Sequence, residues 1–173
     1  YIGQIGFQQF LMKKGVRLPI LKVNKDGSSD IKDFEIYGKT IDAKTLLWSK
    51  YWENAKHETW SIETGEIITV DDLVSKFFFL VPQAQMGIKD AHTERMNLRI
   101  KFNPPKDIYW SLFIKLNENG HVIGGNVYII GWCNHEDLIK SNDNKNYFRF
   151  SSKLHTNIAI PLKELNSNKA FFA

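Results

Sequence analysis

Apolar residues recur at helical spacing at the start of the chain. Ile2, Ile5, Phe7, Phe10 and Leu11 predict a helix over residues 2–14, with Lys13 and Lys14 in its last turn and Gly15 closing it. Residues 16–23 are apolar but contain Pro19, which predicts an edge strand or extended segment. Asn24 to Ser29 is a turn cluster, and residues 33–45 read as two short strands joined at Tyr37-Gly38-Lys39. Between 45 and 69 the pattern is mixed: Trp48, Tyr51 and Trp52 have helical spacing, and 60–69 resembles a hairpin about Thr64-Gly65. A short helical or strand segment is expected from Asp71-Asp72 through Leu80, stopped by Pro82, and then a loop over 86–92. Strands are predicted over 98–102, 108–116 and 127–132, with a hairpin-type turn at 117–120. Asn134 is a good cap for a helix over 136–140, followed by a polar loop over 141–145. Residues 148–165 offer one or two more strands and a short helical end. No repeat and no biased linker divides the chain, so the expectation is a single domain over 1–173. Its expected class is mixed α/β with a partly antiparallel sheet.

The segment 33–45 has a sharper pattern. Paired about Tyr37-Gly38, Ile36 faces Lys39, Glu35 faces Thr40, Phe34 faces Ile41, and Asp33 faces Asp42. Lys44 follows Asp42 by two residues and points to the same face, while Phe34, Ile36, Ile41 and Ala43 point to the other. A two-residue turn of the favoured type needs positive φ at both centres, which Tyr37 resists, so a longer turn around Gly38 is the competing expectation.

Opposed like charges destabilise a strand pair, so Asp33 facing Asp42 calls for a counter-charge. A divalent cation supplies one: Mg²⁺ takes oxygen ligands and is commonly held by one or two carboxylates with water and substrate phosphate. Lys44 beside it can hydrogen-bond an attacking water or developing charge on phosphorus-bound oxygen.

Composition changes this picture little. The 173 residues carry 23 Lys+Arg against 19 Asp+Glu, a net charge of +4 that fits a polyanionic partner without demanding one. The one cysteine, Cys133, excludes an internal disulfide and a multi-cysteine zinc site, and fits a reducing, cytoplasmic setting. No apolar run approaches the length of a membrane span, and no leader pattern is present. The chain opens on Tyr1 rather than Met, so an upstream segment is expected.

Asp33 followed by Asp42-Ala43-Lys44 resembles the motif of the PD-(D/E)XK nuclease superfamily. Gly3-Gln4-Ile5-Gly6-Phe7-Gln8-Gln9-Phe10-Leu11 is similar to the first helix of many such nucleases. Asp107-Ile108-Tyr109, the strand ending Ile130-Gly131-Trp132, and Glu136-Asp137-Leu138 are similar to their late strands and helix. The resemblance implies a restriction-endonuclease-like fold, a central mixed β-sheet flanked by helices. It implies Mg²⁺- or Mn²⁺-dependent hydrolysis of DNA, with Asp33 and Asp42 as metal ligands, the Ala43 carbonyl assisting, and Lys44 acting on the water. Gln4 stands where the family often has Glu and would support the site without bringing charge. A cut through both strands implies two active sites and hence a homodimer. Residues 50–101 resemble nothing in the family.

Other readings compete. Asp33, Asp42 and Lys44 also fit a solvated strand face with a surface ion pair, and Gln4, Gln8 and Gln9 fit the wet side of an amphipathic helix. Glu35 shares the predicted face, and Asp30 rivals Asp33 for the first position. Cys133-Asn134-His135 lacks further ligands at zinc spacing and reads as a buried thiol beside a capping residue. Gln4 in place of Glu supports a second function: a non-catalytic nucleic-acid-binding or assembly module that keeps the fold.

Overall fold

The computed structural model describes residues 2–17, 34–48, 71, 74–75, 77–88, 105–116, 122–149 and 156–173. The chain is mixed α/β. Helix α1 (Ile2–Lys13) is followed by strands β1 (Phe34–Ile36), β2 (Lys39–Trp48), β3 (Phe78–Pro82), β4 (Ile108–Leu116) and β5 (Val122–Asn134). Helix α2 (His135–Asp143), strands β6 (Tyr147–Arg149) and β7 (Thr156–Pro161), and helix α3 (Asn168–Phe172) complete it. No helix among the described residues is long and apolar enough to cross a membrane.

The expected hairpin is present in the expected register: Phe34 pairs with Ile41, Glu35 with Thr40 and Ile36 with Lys39. The turn is the tight one. Tyr37 and Gly38 both have positive φ, 52° and 73°, as a two-residue turn between twisted strands requires. The longer turn considered because of Tyr37 is therefore not formed. β2 then continues to Trp48, so Trp48 belongs to a strand and not to the helical pattern that its spacing with Tyr51 and Trp52 suggested.

β2 pairs with β4 in parallel, and β4 pairs with β5 antiparallel, giving a four-stranded mixed sheet in the order β1-β2-β4-β5. β4 has the predicted bounds, whereas β5 starts five residues earlier and ends two later than the apolar run 127–132 indicated. A second, antiparallel sheet has the order β3-β7-β6. Pro82 ends β3 on the edge of that sheet, where its missing N–H is tolerated. A 3-10 turn at Gln83–Met86 reaches into the segment expected to be a loop over 86–92, of which residues 89–92 lie outside the described residues.

Asn134 caps α2 as expected. Its side chain accepts from the Asp137 amide while the Asp137 carboxylate accepts from the Asn134 amide. This reciprocal box satisfies two otherwise unpaired donors and starts the helix at His135. The helix runs to Asp143, through part of the segment expected to be a polar loop.

Alternation along the strands gives the four-stranded sheet two packed faces. Phe34, Ile36, Ile41, Ala43, Ile108, Trp110 and Leu112 form one core with Phe7 and Leu11 of α1. Tyr109, Phe113 and Cys133 on the other face join Phe79, Val81, Ile158, Ile160 and Leu138 of the second sheet and α2. Each large side chain fully buried this way contributes about 1.5–3 kcal/mol. Two glycines let α1 approach closely: a Cβ at Gly3 would overlap the Thr45 side chain, and one at Gly6 would press on Val127.

The C-terminal segment closes the α1 face. Asn166 exchanges backbone hydrogen bonds with Trp132, at 2.8 and 3.1 Å. Asn168 accepts from the Trp110 indole at 2.8 Å and donates to the Ile129 carbonyl at 2.8 Å. Phe171 and Phe172 then pack against the Trp110 ring.

Candidate active site

The register places a set of polar groups in rows across one face of the four-stranded sheet. Asp42 pairs with Tyr109 in β4, and Tyr109 with Cys133 in β5. One row along, Lys44 pairs with Ser111, and Ser111 with Gly131. Partnered residues point to the same side, so Asp42 and Lys44 share their face with Tyr109 and Ser111. Ala43, between them in sequence, buries its side chain in the α1 core on the other side.

Asp42 and Lys44 are in direct contact. The Lys44 Nζ lies 2.7 Å from the Asp42 Oδ2, with side-chain exposures of 22% and 16% respectively. A pair this enclosed is held by more than the weak attraction of a solvated surface ion pair, because water screens it less.

The end of the face nearest the hairpin turn is tied down by Asp107. Its Oδ2 accepts from the Thr40 amide at 2.8 Å and from the Thr40 hydroxyl at 2.9 Å. The Asp107 amide in turn donates to the Thr40 Oγ1 at 3.1 Å. The carboxylate supplies a partner for Thr40 just where β4 has not yet begun. These bonds hold the Asp107 carboxyl below its ordinary value, the Thr40 amide first and its hydroxyl next, with Lys39 and His135 adding to the effect against a small cost of burial. Glu35, exposed, stands opposite Thr40 across the hairpin.

Deeper in the face, the Tyr109 hydroxyl accepts from the Lys106 amide at 2.8 Å. Burial pushes the phenol well above its usual range; the Lys106 bond opposes this, and nearby Asp42, Cys133 and Asp107 add to it. Tyr109 thus stays protonated. Cys133 is 2% exposed, and burial, with Asp137 nearby, pushes its thiol up, which makes it a poor nucleophile. His135 opens α2 and donates its amide to the Asp107 carbonyl at 3.1 Å. The buried-thiol and capping-region readings of Cys133 and His135 therefore hold. Ser111 is fully buried, and its hydroxyl finds no hydrogen-bond partner among the described residues. It lies beside an irregularity in β4–β5 pairing, between Ser111 and Leu112.

Of the residues singled out from the sequence, the structure brings Asp42 and Lys44 together. Asp33 and its rival Asp30 lie outside the described residues. Gln4 is half-buried on α1, the helix that covers the opposite face of β2 through Gly3 and Thr45. Among the described residues no three His, Cys, Asp or Glu side chains form a group able to hold a metal ion. Asp42 could supply one carboxylate to a hard cation of the Mg²⁺ type, which takes one or two protein carboxylates and leaves its other positions to water and phosphate. Thr40, Tyr109 and Ser111 were not marked as site residues by the sequence. Ser111 did carry a signal, as a polar residue between Trp110 and Leu112 in the mostly apolar strand Ile108–Leu116.

No protein-family model, no curated protein and no solved structure matches the chain.

Proposed function

We propose that the chain is a metal-dependent nuclease with a restriction-endonuclease-like fold, hydrolysing phosphodiester bonds in DNA from the face that carries Asp42 and Lys44. The observation that supports it is the enclosed contact between Lys44 Nζ and Asp42 Oδ2 on one face of a hairpin strand. The mixed sheet with helices on its faces is compatible with that fold. Asp42 has a second carboxylate oxygen with which to hold Mg²⁺ or Mn²⁺; Asp33 and the Ala43 carbonyl are the other proposed ligands. When bound, the cation supplies Lewis-acid stabilisation of phosphate charge and a more acidic water.

The rest belongs to the side chains. An ammonium has three donors, of which Lys44 gives one to Asp42. Two remain to orient a water and to meet charge that develops on phosphate oxygen. Asp42 fixes the Lys44 amine in place. The Thr40–Asp107 bonds hold β2 against β4 and so set where this pair stands. Cutting both strands would take two copies of the chain.

The second reading is a nucleic-acid-binding or assembly module without hydrolytic activity. It is favoured by Gln4 in place of a carboxylate. Mn²⁺ titration followed by electron paramagnetic resonance separates the two. The nuclease reading expects binding at millimolar Mn²⁺ or below that is lost in Asp42→Asn. DNA binding with no Mn²⁺ binding in the wild-type chain would leave only the module.

A further inference from the structure

Tyr37 stands at the tip of the hairpin, 70% exposed, with φ at 52°. The left-handed region suits Gly, Asn or Asp in this turn, and a tyrosine there carries a conformational cost. Its ring adds nothing to either core. It lies instead in an offset stack beside Phe171, with centroids 6.1 Å apart and 24° between the planes. From Phe171 the rings continue to Phe172 at 5.2 Å and to Phe10 at 5.9 Å, and Lys14 Nζ ends the row 5.9 Å from the Phe10 centroid. Phe10, Phe171 and Phe172 are each half-buried, so the row reaches the surface along its length.

The segments that carry this row are rich in cations, with the exposed Glu35 two residues before Tyr37 and the exposed Asp107 close to Lys39. Residues 2–17, 37–39 and 167–173, which carry the rings, contain Lys13, Lys14, Arg17, Lys39 and Lys169 and no Asp or Glu. All five of these cations are exposed. A protein-binding patch is normally depleted of lysine, whereas open aromatic faces flanked by cations suit a strand of unpaired bases on a phosphate backbone.

We propose that Tyr37, backed by Phe171, is a base-stacking platform for single-stranded nucleic acid, with Lys14, Lys39 and Lys169 beside the phosphate track. The platform is separate from the Asp42 face and binds whether or not that face hydrolyses DNA. The turn conformation is the cost of presenting a ring at the tip, held in place by the Phe171 stack.

The test is fluorescence anisotropy of a labelled 20-residue oligothymidylate with the whole chain in EDTA, which removes hydrolysis from the readout. Tyr37→Asn is the informative variant, because Asn suits the left-handed turn and the hairpin stays folded or gains stability. Its affinity is expected to fall about tenfold, the equivalent of about 1.4 kcal/mol, while Tyr37→Phe binds as the wild type does. Lys14→Gln, Lys39→Gln and Lys169→Gln each reduce the slope of log affinity against log salt by about 0.7. Undiminished binding by Tyr37→Asn overturns the proposal, as does a wild-type chain that does not bind the oligonucleotide at low salt. Self-association that Tyr37→Asn abolishes, with oligonucleotide binding unaltered, overturns it in favour of a contact between copies of the chain.

Discussion

Thr40 and Asp107 are 67 positions apart in sequence and hold each other by three hydrogen bonds, two into the Asp107 carboxylate and one from its amide. They join the start of β2 to the start of β4 and so fix the parallel register that sets Asp42 beside Tyr109 and Lys44 beside Ser111. Replacing Asp107 by Ala is expected to lower stability by about 1 kcal/mol, less than a buried charged hydrogen bond is worth because the group is exposed and solvent-screened. Urea unfolding of the two chains measures it, and equal midpoints would show that the register is held by packing alone.

The same bonds give a pH dependence of known sign. Asp107 is held below its ordinary carboxyl value in the folded chain, so its contribution is complete above the unfolded value of about 3.9 and is lost as pH falls through the lower, folded value. The wild-type chain should therefore lose more stability on acidification below about pH 4 than Asp107→Asn does. Thermal unfolding of both between pH 5 and pH 2.5 measures the difference, and parallel curves would contradict it.

Close packing of α1 makes Gly3 a sensitive position. Alanine favours a helix by about 1 kcal/mol over glycine, yet its methyl group here would overlap Thr45. Gly3→Ala is expected to destabilise by about 1–3 kcal/mol net. The penalty should shrink in a Thr45→Gly background, which a double-mutant cycle in urea resolves. A stabilising Gly3→Ala would mean that α1 moves off the sheet without cost.

Ser111 and Cys133 predict opposite things for two polar groups on one face. Ser111→Ala removes a buried hydroxyl with no partner among the described residues, so it should leave the melting temperature unchanged or raise it. Cys133, buried and with its thiol pushed up, should resist a disulfide reagent in the folded chain and react only in denaturant. Rapid labelling under native conditions would place the thiol at the surface.

The hairpin was legible in the sequence because its signal is local. Phe34, Ile36, Ile41 and Ala43 alternate with polar residues, and a shift of one would turn them all to the wrong face. That fixed the placing of Asp42 with Lys44. The turn was less legible: tyrosine disfavours positive φ, and what makes it tolerable, the stack on Phe171, comes from the far end of the chain. The neighbours of the pair were not legible for a similar reason. Tyr109 and Ser111 reach it through parallel pairing of segments some 67 residues apart, which no local pattern encodes. Helix α2 outran its expected end because the Asn134–Asp137 box starts it firmly while Ser141 to Asp143 offer no stop signal such as Gly or Pro.

The most direct test of the central claim is single-turnover cleavage of DNA in Mg²⁺ by the wild-type chain, Asp42→Asn and Lys44→Met, each first shown to be folded by circular dichroism. The account predicts Mg²⁺-dependent cleavage that EDTA abolishes, slowed at least about 10²-fold by either substitution. Cleavage at the wild-type rate by Asp42→Asn, or no cleavage by a folded wild-type chain with bound Mn²⁺, would contradict it.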